Sequence, residues 1–282
     1  MLKFITPIWP APSQVKAYTT TRHGGYSKPP YDGFNLADHV GDNAEAVAAN
    51  RAALVEALSL PGEPVWLKQV HGIQTVTAYS DNANCSADAA FATAPGQVCV
   101  VMTADCLPVL FCDRAGTRVA AAHAGWRGLA SGVLETTLQR LELSAEEILV
   151  WLGPAIGPQV FEVGDEVREA FMDFMPQAAE AFRPSHEGRW LADLYLLARQ
   201  RLALQGVTAV YGGDFCTYTE KRFYSFRCDK VTGRMASLIW LERVLIFRDL
   251  IPYPRSNFYN FLILQVTLNV DAQQYPPDIS YN

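Results

Sequence analysis

His71 in KQVHG, Cys106 in MTADCLPVLF and His123 in AAAHAGWRG set two imidazoles and one thiol at the ends of apolar, β-prone segments. Imidazole and thiolate are good ligands for zinc or copper and poor ones for magnesium. Structural zinc sites place ligands in pairs about two to four residues apart. Here the three are widely spaced and no Cys-x-x-Cys pair occurs. Two imidazoles and a thiolate instead match an open catalytic shell with three protein ligands and one free position. Gly72 and Gly125 follow the two histidines closely and permit close backbone approach. Asp105, next to Cys106, is a candidate for orienting a ligand imidazole, with a turn or cap role as the alternative. The same atoms also support a metal-free chemistry in which Cys106, beside a histidine, is a covalent nucleophile.

These residues need elements to hold them. VKAYTTTRHGGYSKPPYDGFNL reads as a strand feeding a long Gly/Pro-rich loop. NAEAVAANRAALVEALSL reads as a helix capped by Asn43, with Val47, Leu54 and Leu58 on its apolar stripe. EPVWLKQVHG and TVTAY read as two short strands broken at Gly72. QVCVVMTADCLPVLFCD is a long apolar β run expected to bend or end near Pro108. TRVAAAHAGWRG is a buried strand ending in a Gly-rich loop, and LASGVLETTLQRLEL a helix. ILVWLGPAIGP is a strand and loop, DEVREAFMDFM and ADLYLLARQRLALQG are helices, and TAVYGGDFCTY and FYSFRCD are strands. No βαβ rhythm emerges, so the expectation is one α+β domain. The segment after residue 241 is rich in aromatics, Asn and Pro. It reads either as an extra hairpin or as sequence read through from a cloning junction.

Bulk properties narrow the classes. Half of the 282 residues are apolar and 18% are charged, an ordinary globular balance. Six cysteines are too few for a disulfide scaffold and sit largely in apolar runs, which suits a reducing cytoplasm. No secretory leader or membrane span is evident. The net charge of −6, with no basic run, argues against a nucleic-acid partner.

KQVHG, ADCLPVLF and AAHAGWRGL occur together with TRHGG…YDGFNLA, WLGPAIGP and FEVG. In this combination the chain resembles the laccase-domain family over about residues 1–241. That family is also labelled multicopper polyphenol oxidase or purine nucleoside phosphorylase and is associated with a cysteine-hydrolase-like fold. The resemblance implies a central mixed β-sheet or β-sandwich flanked by helices, and zinc on His71, Cys106 and His123. It also implies phosphorolysis of adenosine, inosine and methylthioadenosine, with adenosine deamination as a second activity. Copper-dependent phenol oxidation is the older label.

Phosphorolysis needs an anion site and a base site. Arg22 in TTRHGG and Arg127 in GWRG are expected to clamp phosphate, since guanidinium forks match its oxygens. A helix expected to begin near Leu129 would add free N–H groups. Asn35 in GFNLA is a candidate for a sugar hydroxyl or the base, or else a turn-former after Gly33. Tyr31, Phe34 and Trp126 could stack on a purine or fill the core, and His23 and His39 are taken as structural. Deamination suits an open metal position, because a bound metal lowers the pKa of water. Four-copper oxidation would need roughly ten histidine ligands, and this copper chemistry favours imidazole. The chain has five histidines and no His-x-His pair.

Overall fold

The computed structural model describes residues 1–243. In chain order its strands are β1 (Phe4–Ile5), β2 (Val15–Thr20), β3 (Pro64–Val65), β4 (Thr75–Thr77), β5 (Ala89–Ala92), β6 (Val98–Thr103), β7 (Leu107–Asp113), β8 (Val119–Ala124), β9 (Ile148–Leu152), β10 (Glu162–Gly164), β11 (Phe182–Pro184), β12 (Arg189–Ala192), β13 (Val210–Gly212) and β14 (Met235–Leu241). The helices are α1 (Ala44–Leu58), α2 (Trp126–Ser131), α3 (Val133–Leu141), α4 (Asp165–Met172), α5 (Leu194–Leu204) and α6 (Phe226–Asp229).

Strand alternation explains the layers. In β6 and β14, Cys99, Val101, Ile239 and Leu241 face one way, while Val98, Val100, Leu238 and Trp240 face the other. In β7, β8 and β9, Leu110, Val119, Ala121, Leu149 and Trp151 join the first set. Their neighbours Val109, Phe111, Ala120, Val150 and Leu152 join a third cluster with α3 and α5. Both faces of these strands are therefore apolar, as expected for sheets covered on both sides. A five-stranded sheet, order β1-β2-β14-β6-β3, packs on a six-stranded one, order β13-β9-β7-β8-β5-β4. Leu54 of α1 lies over the outer face of the first sheet, and α3 and α5 cover the second. A three-stranded sheet, β10-β12-β11, completes the α+β domain. It is the expected sandwich flanked by helices.

Several local expectations change. Pro108 lies inside β7, opposite His123, and the chain breaks earlier, at Ala104–Cys106, where it leaves one sheet for the other. Proline is tolerated there because its carbonyl accepts from the Gly153 N–H. Its missing donor thus faces the β9 side, where pairing begins only at Val109. The helix expected over LASGVLETTLQRLEL starts earlier, at Trp126, and divides at Gly132, whose φ is 103°. FYSFRCD is not a strand, since Ser225 caps the short α6 by accepting from the Cys228 N–H. TAVYGGDFCTY is a strand only over β13, ended by Gly212 and Gly213 at positive φ. EPVWLKQVHG is a strand only at Pro64–Val65. Asn43 caps α1 as expected. The segment after residue 243 lies outside the described residues. Among the described residues no helix is long and apolar enough to cross a membrane.

Candidate metal centre

β8 presents His123 on the same side as Val119 and Ala121, at the end of the inter-sheet core. It is 3% exposed. Cys106 closes the crossover from β6 to β7, and His71 stands on the turn between β3 and β4. One ligand atom from each lies within 4.8 Å of the others. Cys106 Sγ and His71 Nε2 are 3.8 Å apart, and the two imidazoles meet edge to face with centroids 4.8 Å apart. A tetrahedral zinc shell, with ligands at about 2.0–2.3 Å, spaces them about 3.3–3.8 Å apart. The donor set and its spacing fit such an ion with small closure.

His71 is not at a strand end, as the sequence suggested. It sits at φ 61°, and Asp105 at φ 89°. Left-handed backbone is uncommon outside glycine, although His and Asp enter it more readily than most residues, and it persists where surrounding contacts impose it. At His71 those contacts come from Asp88, a fully buried carboxylate that accepts from the N–H groups of Val70, His71 and Gly72. Its Oδ1 also lies 2.8 Å from His123 Nδ1. This leaves His123 Nε2 for the centre. Asp88 therefore fills the orienting role considered for Asp105. Asp105 instead accepts from the Thr217 hydroxyl and the Arg227 N–H, tying the crossover to α6. Gly125 is required by close approach: a Cβ there would stand 2.8 Å from His71 Cδ2 and 3.1 Å from Cys106 Sγ.

The electrostatics follow from this packing. Burial raises the Cys106 thiol, but the His123 and His71 imidazoles outweigh it and bring it down to about 6. Burial opposes protonation of His123, yet Cys106 and Asp88 push it up to about 9. Burial also acts against the Asp88 carboxylate, and His123 with the surrounding N–H groups holds it below its usual value. Between these two values, the metal-free centre favours a thiolate–imidazolium pair.

Two cavities meet at the cluster. One, of about 250 Å³, is lined by His39, Gln69, Met102, Thr103 and Arg234 beside the three candidate ligands. Gln69 holds its wall by exchanging two hydrogen bonds with the Met102 backbone, at 2.8 and 2.7 Å. The other, of about 230 Å³, is more apolar and includes Trp126, Arg127, Ile156, Phe161 and Leu194. Phe226 borders both.

Of the expected substrate-binding residues, Arg127 lines the apolar cavity beside the cluster, stacked over Trp126 at 4.3 Å. Arg22 lines a different cavity and is engaged by Asp32 and Asp229 at 3.5 and 3.7 Å. Asn35 is fully buried, and its amide serves the protein. It donates to the Ala37 carbonyl and Asp42, and accepts from the Ala37 and Arg234 N–H groups. Phe34 is likewise in the core. Asp88, Gln69 and Arg234 escaped the sequence reading. The only signal for Asp88 was a single acid entering the apolar run AAFA.

A family model described as multi-copper polyphenol oxidoreductase laccase matches residues 16–242. Purine nucleoside phosphorylase YfiH of Escherichia coli is 58% identical over 243 residues, covering 86% of this chain and 100% of the relative. A Pseudomonas aeruginosa purine nucleoside phosphorylase is 55% identical over 244 residues, with 86% and 100% covered. Among solved structures, a Neisseria meningitidis protein superposes with a TM-score of 0.82 at 51% identity, over 85% of this chain and 99% of that one. YlmD of Geobacillus stearothermophilus gives 0.78 at 30% identity, over 82% and 93%. The chain belongs to the multi-copper polyphenol oxidoreductase laccase family.

Proposed function

We propose that the protein is a zinc-dependent purine nucleoside phosphorylase acting on adenosine, inosine and methylthioadenosine, with adenosine deamination at the same centre. The observation that carries this reading is the convergence of His71, Cys106 and His123 where a polar and an apolar cavity meet. Relatives 50–58% identical are named purine nucleoside phosphorylases, which supports it. All six cysteines are free, in keeping with a cytoplasmic enzyme on small molecules.

His71, Cys106 and His123 would hold the zinc, which when bound supplies a Lewis acid and activates water. Asp88 fixes the His123 tautomer and the His71 turn. Trp126 and Phe161 offer apolar and aromatic surface for a purine, with Arg127 at the rim. In phosphorolysis a phosphate oxygen forms the bond to ribose C1′ while the C1′–N9 bond breaks. The electron pair leaves with the purine, which takes up a proton. The protein's contribution is to hold the two reactants in line and to exclude water.

Copper-dependent phenol oxidation is the second reading, favoured by the family description and by the same donor set. Among the described residues, however, His71, Cys106 and His123 are the only group of three or more metal-capable side chains so placed, which leaves no second cluster for coupled copper ions. Elemental analysis of protein purified without added metal, together with phosphate-dependent release of hypoxanthine from inosine, tests the proposal. His71→Ala, Cys106→Ala and His123→Ala should each abolish base release in folded protein. Full activity in Cys106→Ala would overturn it. Ammonia release from adenosine without phosphate tests the deamination.

A further inference from the structure

Arg22 lies away from the cluster, and Arg127 borders its apolar side, so the phosphate of the proposed reaction lacks a partner in the polar cavity. Arg234 lies there, just before β14, and its neighbour Met235 pairs with Thr103 at the end of β6. The Arg234 guanidinium is half-buried and has no carboxylate within 4.0 Å among the described residues. Its Nη1 donates to the carbonyls of Thr232 and Gly233 at 2.9 and 3.0 Å. Its Nε and Nη2 donate to no protein acceptor among the described residues. A fully buried guanidinium needs a charge partner, because removing an unpaired charge from water is costly, whereas half-buried Arg234 keeps these donors open to the cavity. Arg201, for example, is 3% exposed and contacts Glu135.

Thr103 supplies an independent observation. It is 1% exposed, lines the same cavity, and its hydroxyl has no hydrogen-bond partner. A buried hydroxyl without a partner is uncommon in native proteins and calls for an explanation such as a ligand. A guanidinium with free donors, and an unpartnered hydroxyl enclosed just behind the same wall, suit a tetrahedral oxyanion. Gln69, on the same wall, spends one amide N–H on the Met102 carbonyl and has a second to give. Phe226 lies 5.7 Å from the Arg234 guanidinium and lines both this cavity and the apolar one.

We propose that Arg234 and Thr103 bind the attacking phosphate, with the purine in the apolar cavity against Trp126 and Phe161. This inference rests on the phosphorylase reading. It assigns the phosphate to the Arg234 wall instead of Arg22 and Arg127.

The test uses the metal-loaded enzyme and measures base release from inosine over a range of inorganic phosphate. Thr103→Val is isosteric and breaks no protein hydrogen bond, so a merely structural Thr103 predicts no kinetic change. The phosphate site predicts a rise of about fivefold or more in the KM for phosphate, with the KM for inosine within about twofold and the metal content intact. Arg234→Lys keeps the charge but loses the fork, and should raise the KM for phosphate about tenfold or more. Arg22→Gln should leave phosphate saturation at its wild-type value. Wild-type phosphate saturation in both Thr103→Val and Arg234→Lys would overturn the assignment. If the wild type releases base without any phosphate dependence, the phosphorylase reading itself has failed. Calorimetric titration with inorganic phosphate then decides the subsite. Binding that is lost in Arg234→Lys and Thr103→Val supports it, and binding that is absent in the wild type or equal in all three overturns it.

Discussion

Asp88 Oδ1 lies 2.8 Å from His123 Nδ1, and the same oxygen accepts from the His71 backbone N–H at 2.9 Å. One buried carboxylate thus positions two of the three candidate ligands, orienting one by its ring and the other by its main chain. The arrangement matches a general feature of metal sites, in which a carboxylate fixes the tautomer of a ligating imidazole.

Asp88→Asn tests that dependence. The substitution preserves volume but sets an NH₂ group against a ring nitrogen and three backbone donors. Metal affinity should fall about 10–100-fold, the usual cost of removing such a partner. Competition with a chromophoric chelator measures it, and an affinity equal to that of the wild type would sink the idea that Asp88 organises the centre.

Gly125→Ala probes the same centre from the opposite side. The backbone at Gly125, φ −62° and ψ 155°, is open to alanine, so no conformational penalty is expected. The added methyl would instead enter the space between His71 and Cys106. Metal content should drop sharply while far-UV circular dichroism stays that of the wild type. Normal metal loading would mean that the three ligands do not close around a common ion.

The ligand types were legible because histidine and cysteine at the ends of apolar segments have few chemical uses in combination. The sandwich was legible in part, since runs such as VCVVMT and ILVWL are apolar on both faces. The supporting partners were not. Asp88 acts across the fold on residues distant in the chain, and an aspartate in CSADAAFA reads as a turn former. Pro108 misled because the rule that it interrupts strands depends on which side its missing donor faces, and only the β9 register reveals that. Arg22 and Asn35 looked available because local sequence does not show which side chains the tertiary fold has already engaged.

The thiol–imidazole pair sets a pH signature for the metal-free protein. Cys106, lowered to about 6, should be alkylated by iodoacetamide at a rate that rises as pH climbs through that value. Cys112, raised to about 12 by burial, should stay inert over the same range. In His123→Ala the Cys106 inflection should move up toward the ordinary thiol range. For stability, the depressed Cys106 value adds a contribution as pH rises from about 6 toward 9. The raised His123 value removes one over nearly the same interval, up to about 9. The two slopes oppose, so chemical reactivity is the informative readout. An inflection unchanged by His123→Ala would show that the imidazole does not stabilise the thiolate.

Asn35→Ala separates a structural amide from one that touches substrate. Asn35 joins Ala37 and Asp42 to the Arg234 backbone with no exposed surface of its own. Truncation would strand the buried N–H and C=O groups it serves, at about 1–3 kcal/mol for each that finds no other partner. For a domain of this size a loss of about 2–4 kcal/mol lowers Tm by about 5–15 °C. Because the Asn35 bond fixes the backbone of Arg234, any kinetic effect should appear in phosphate saturation and leave nucleoside affinity near its wild-type value. A variant with unchanged Tm and a weakened KM for nucleoside would restore Asn35 to the substrate site, and a calorimetric melt beside two saturation curves distinguishes the outcomes.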